Sequence, residues 1–118
     1  MPEHLFFYLG LSFILMHEMD AVRCKEWRIF PGLSLLSDRL GFQLFMWLHV
    51  PLFAIIFVKL FESDNTGFIW GLDVFFIVHM ILHLLFLLHK NNAFKDFLSW
   101  SIISGAAVFG AFDLIVEF

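Results

Sequence analysis

The 118-residue chain is 61% hydrophobic, has a mean hydropathy of +0.88 and carries 18 phenylalanines. A soluble domain of this size cannot cover that much apolar surface, so the composition calls for lipid as solvent and argues against a water-soluble catalytic module. The formal net charge is -4, basic patches suited to nucleic acid are absent, and the single cysteine, Cys24, excludes an intrachain disulfide.

Met1-Pro2-Glu3-His4 lacks the positive n-region of a secretory signal, and Met16-His17-Glu18 offers no small-residue cleavage site. The first apolar run is therefore expected to be a retained membrane helix. The pattern of runs predicts an all-α, four-helix transmembrane bundle, a single integral membrane domain over 1–118, with helices at about 5–27, 40–61, 68–89 and 94–116.

The first helix ends in a dense set of titratable groups, from His17 to Arg28. If it continues unbroken, His17, Asp20, Ala21 and Cys24 share one stripe, with Glu18 about 100° round from His17. Asp20 with Arg23, and Arg23 with Glu26, have the i, i+3 spacing of interfacial ion pairs. Pro31-Gly32 signals a turn, and the apolar residues around it suit a stretch lying along the membrane interface.

Ser37 or Asp38 is placed to cap the second helix, and Pro51 should bend it beside His49 by removing the hydrogen bond to the Trp47 carbonyl. After the polar connection Glu62 to Gly67, the third helix carries Asp73, His79 and His83. Lys90-Asn91-Asn92 turns the chain into the fourth, which carries Asp96, Asp113 and a small-residue stripe, Ser104, Ala107 and Ala111, suited to close helix packing. Asp73 and Asp113 fall at similar outer depth, where facing water is the simple reading.

In the four-span arrangement Arg23, Lys25, Arg28, Arg39, Lys90 and Lys95 lie on one side and Lys59 alone on the other. The positive-inside rule then places the N- and C-termini outside.

With a rise of about 1.5 Å per residue, His17 lies roughly 18 Å below the outer edge, and His79 and His83 roughly 16 and 22 Å below it. His49 comes to roughly 16 Å in a core about 30 Å thick. Three helices thus deliver His17, His49, His79 and His83 to one slab. His79 and His83, at i, i+4, project from one face and suit a shared metal ion. The candidate metal ligands are these four histidines. Glu18 and Asp20 are candidate catalytic groups, as ligand, orienting partner or base toward metal-bound water. Imidazole with nearby carboxylates favours zinc, with iron as the alternative. A structural polar network, and a b-type haem with two facing histidine ligands, stay open beside it.

The set His17-Glu18-x-Asp20-Ala21, Glu26-Trp27-Arg28, Trp47-Leu48-His49-x-Pro51 and His79-x3-His83 resembles a family of small uncharacterised bacterial membrane proteins. The resemblance covers most of the chain and implies a four-helix protein of the bacterial inner membrane, without supplying an activity. Cys24 stands where that pattern suggests a further histidine. A weaker similarity, to the membrane hydrolases that include alkaline ceramidases and adiponectin receptors, implies zinc held by three histidines, two in an HxxxH pair. Those proteins have more helices than four, so the likeness reaches only the chemistry. His17-Glu18 departs from the HExxH zinc-protease motif because position 21 is alanine. Two function classes follow: a metal-dependent hydrolase acting on a lipid-like substrate, or a non-enzymatic metal carrier or assembly partner. The expected partners are the lipid bilayer, a lipid-like substrate and, as an open alternative, a second copy of the chain.

Overall fold

A computed structural model describes residues 2–118. Its elements are α1 (Leu5–Arg23), α2 (Asp38–Phe61), α3 (Thr66–Phe86) and α4 (Phe97–Glu117), with two 3-10 turns, Glu26–Arg28 and Leu33–Leu35, between α1 and α2. All four helices are long and apolar enough to cross a membrane. The shortest has 19 residues and the longest 24, or roughly 29 to 36 Å at about 1.5 Å per residue.

The helix boundaries follow from local chemistry. The Ser37 side chain accepts from the N–H of Leu40, and the Asp96 carboxylate accepts from the N–H of Ser99. Each satisfies one of the backbone donors a helix start leaves free. The cap at Asp96 starts α4 three residues later than the apolar pattern suggests. Phe94 is thereby freed from the helix, and it lies buried in the α3–α4 connection.

The end of α1 also departs from expectation. The helix stops at Arg23, and Lys25 takes a left-handed conformation (φ 52°) before the Glu26–Arg28 turn. Continued helically, Glu26 would stand nine residues beyond His17, about 180° round the axis and facing away from it. The reversal at Lys25 brings it back to the His17 side. The turn is then anchored to the start of α2. The Trp27 Nε1–H and the Arg28 Nε–H both donate to Asp38 Oδ1, at 3.1 and 2.9 Å, and Arg28 also pairs with Asp38 Oδ2. Gly41 makes room for the indole, since a Cβ there would lie 2.8 Å from Trp27.

In the bundle α4 is central, packed along α1 on one side and α3 on the other. Its buried face runs Ser99, Ile102, Ile103, Ala106, Ala107, Gly110 and Asp113, a single i, i+3, i+4 stripe. A close backbone approach falls at Gly110, where an added Cβ would lie 2.9 Å from the backbone oxygen of Asp73 and 3.2 Å from Phe76. By contrast α2 buries only Gly41 and Phe45 and packs mainly on the two 3-10 turns.

The α3–α4 seam gives a stability prediction. Gly110→Ala should destabilise the protein in detergent by about 1–3 kcal/mol through overpacking, less the modest gain in helix propensity. Gly71→Ala, which would meet nothing within 4 Å, serves as the control and should be neutral or slightly stabilising. Ala107→Leu, at a buried position of the same face, should act in the direction of Gly110→Ala. Equal melting temperatures for the two glycine variants would contradict this seam.

Candidate metal centre

The inner face of α1 carries His17, Asp20 and Ala21, and Cys24 follows on the same stripe; all four are buried. The stripe divides into two settings. Asp20 and Cys24 turn toward the start of α4. There Asp20 Oδ1 accepts from Arg23 Nε at 2.6 Å and Oδ2 from the Ser99 hydroxyl at 2.6 Å. Arg23 continues to Asp96 at 3.1 Å, and the Cys24 thiol lies 3.9 Å from Asp20 and 3.7 Å from the Ala93 carbonyl. This network ties α1 to α4. The Ser99 backbone N–H, with Arg23, holds the Asp96 carboxyl below its usual range.

His17 turns instead toward α3. Its ring packs edge-on against His79, with centroids 4.4 Å apart, and against His83 at 4.9 Å; His79 and His83 are 4.5 Å apart. The Glu26 carboxylate closes the group, with Oε1 3.7 Å from His17 Nε2 and 3.5 Å from His83 Nε2. Burial pushes the Glu26 carboxyl up, but the two adjacent imidazoles outweigh it and bring it down to about 2. His17, Glu26, His79 and His83 each offer a donor atom, and these four atoms lie within 4.8 Å of one another. Phe94 covers the group, 5.3 Å from His17 and 4.7 Å from His83 between ring centroids.

The imidazole nitrogens are poorly satisfied by the protein itself. Both ring nitrogens of His17, Nδ1 of His79 and Nδ1 of His83 are enclosed without a hydrogen-bond partner. Unpartnered buried polar atoms are costly and uncommon, and each asks for an explanation. Three imidazoles and a carboxylate match the donor set of zinc or iron.

His49 stands outside this quartet. Its Nδ1–H donates to the Phe45 carbonyl at 2.6 Å, one helical turn back in α2, which runs on through Pro51. Its Nε2 then faces Glu18 Oε2 at 2.5 Å, with one proton held between them. Glu26, His79 and His83 of the quartet and this pair border one cavity of about 430 Å³, which lies between α1, the connection after it, α2 and α3. Glu18, Glu26, His49, His79 and His83 are its polar lining, and residues such as Phe30, Phe45, Leu52, Phe75 and Phe86 supply the apolar wall. Asp20 does not line it. Glu26 is the residue that spacing alone did not bring to the cluster, because helical extrapolation puts it on the wrong side of α1. The left-handed backbone that corrects this sits on a lysine, a residue type that carries no such signal.

Fold and site together define a class: an all-α protein of four apolar, membrane-length helices with a His/Glu cluster able to hold a metal ion. A family model described as a family of unknown function (DUF6713) matches residues 3–118, and the chain belongs to that family. No curated protein and no solved structure matches it.

Proposed function

We propose that this chain is an integral membrane protein that binds one transition-metal ion, zinc, at His17, Glu26, His79 and His83, and hydrolyses an ester or amide in a lipid-like substrate. The observation that carries the reading is the convergence of four donors within 4.8 Å, with imidazole nitrogens that no protein group satisfies. The opening of the same site onto a largely apolar cavity points to the substrate, whose tail would lie against the aromatic wall beside α2.

A divalent ion held by these four donors, with a fifth position left for water, would supply Lewis acidity toward the scissile carbonyl and lower the pKa of that water. The chain's own acid–base chemistry falls to Glu18 and His49. With Glu18 ionised and His49 protonated, the carboxylate takes a proton from the attacking water while the imidazolium gives its proton to the leaving group. The pair ends with one proton between its members, as it began. The Nδ1–H bond to Phe45 fixes the ring plane for this exchange. Asp20, tied to Arg23 and Ser99, is a positioning residue that holds α1 against α4.

The test is the metal content of protein purified in detergent. About one ion per chain is expected from a single site. Metal-free wild-type protein that is equally stable with and without added zinc or iron would overturn the assignment and leave a structural polar network.

Orientation is part of the proposal. Reporter fusions at residue 118 and near Asn91 should report opposite sides, with residue 118 outside, because six of the seven lysines and arginines fall on the Asn91 side. Both fusions on the same side would rule out four spans in this register.

A further inference from the structure

A second buried polar centre lies toward the opposite end of the bundle. Asp73 of α3 and Asp113 of α4 both have 0% exposure, and the Asp73 carboxyl adjoins that of Asp113. Neither oxygen of Asp73 has a hydrogen-bond partner, nor does Oδ1 of Asp113. Asp113 Oδ2 accepts from Nδ1 of His4 at 2.9 Å, and Nε2 of His4 lies 3.8 Å from Glu3, whose side chain is 82% exposed. The close approach of α3 and α4 at Gly110, one turn from Asp113, brings the two carboxyls together.

We propose that Asp73 and Asp113 form a proton-binding pair, sharing one proton in the apolar core and exchanging it with water through His4. Two carboxylates side by side in an apolar interior cannot both stay ionised. Among the described residues neither is paired with a lysine or arginine, and the groups facing the pair are His4 directly, with Glu3 and Glu117 beyond it. A metal ion is the less suitable occupant. Among the described residues the groupings of three or more whose donor atoms converge within 4.8 Å are the His/Glu quartet and the set Glu3, His4 and Glu117, and Asp73 joins neither.

Geometry supplies the route. A proton taken up at Nε2 of His4 releases the one on Nδ1 to Asp113, from which it passes to Asp73. Further passage is blocked by Phe76, stacked on Phe7 at 6.0 Å and fully enclosed. Phe76 sits between Asp73 and His79 on α3, in the roughly 9 Å that separates them along the helix axis. The pair is therefore a site separate from the metal centre, whose failure as a metal site would leave it standing.

Infrared spectroscopy of the purified protein at neutral pH tests this. The wild type should show a carboxylic-acid C=O band that shifts when the aspartates alone carry a ¹³C label in their side-chain carboxyls. Asp73→Asn, an uncharged isostere of the protonated acid, should lose the band with the fold and the metal content retained. His4→Phe should keep the band and slow its exchange in heavy water. The absence of any label-sensitive band in wild-type protein would overturn the proposal, and this measurement does not depend on a variant folding. So would a band that persists in both Asp73→Asn and Asp113→Asn, or a loss of bound metal in Asp73→Asn.

Discussion

His83→Ala, His17→Ala and Glu26→Gln should each reduce bound metal from about one ion per chain to a small fraction of that, whereas His49→Ala should leave it near the wild-type level. The contrast follows from position. The first three supply donors that meet within 4.8 Å, while His49 is engaged by Phe45 and Glu18. Loss of a direct ligand should exceed the roughly 10–100-fold weakening typical of residues that only support one. Stability gives an independent readout. Metal at about one hundred times its dissociation constant stabilises a folded protein by about 2.7 kcal/mol, so added zinc should raise the melting temperature of wild type and His49→Ala but not of the other three. Retention of metal by Glu26→Gln together with its loss from His49→Ala would restore the all-histidine assignment and displace Glu26.

That contrast also shows where sequence reasoning reaches and where it stops. Four membrane-length helices are legible because apolar runs of this length have few alternatives in so short a chain. The buried stripe of His17, Asp20, Ala21 and Cys24, and the shared face of His79 and His83, follow from helical periodicity. Position along each helix axis is legible too, since rise per residue is constant, and it brings His49 to the level of the others. Rotation about each helix axis is not legible, because it depends on which neighbours the helix meets. Hence His49 turns to Glu18 rather than into the quartet. Asp73 and Asp113 lie at a common level of the bundle, yet they face each other in the core instead of water. Glu26 was lost for a different reason. A left-handed lysine two residues past the end of α1 reverses the chain, and periodicity extrapolated through it gives the wrong face. The early stop of that helix, the Trp27–Arg28–Asp38 anchor and the enclosed Glu26 are one tertiary arrangement, without a local sequence code.

Glu18→Gln should keep the metal and lose hydrolysis of a long-chain p-nitrophenyl ester in mixed micelles by about 10²–10⁴-fold, the range for loss of a general base. The amide retains the size of the carboxylate and can still hydrogen-bond to His49, but it cannot accept the proton of the attacking water. The loss should fall on kcat with KM little changed, because on the proposed reading the apolar wall, and not the Glu18 carboxylate, would hold the ester's tail. His49→Phe should give a related deficit for another reason. A phenyl ring keeps the packing against Phe45 and Phe53 but neither shares a proton with Glu18 nor donates one to a leaving group. The two changes act on one proton, so the double variant should be little worse than the worse single one, as for residues that work as a unit. Independent, multiplying losses would separate Glu18 from His49 in the chemistry. Wild-type turnover in Glu18→Gln, alongside an inactive His79→Ala, would place the acid–base step elsewhere and leave the Glu18–His49 contact as a brace between α1 and α2.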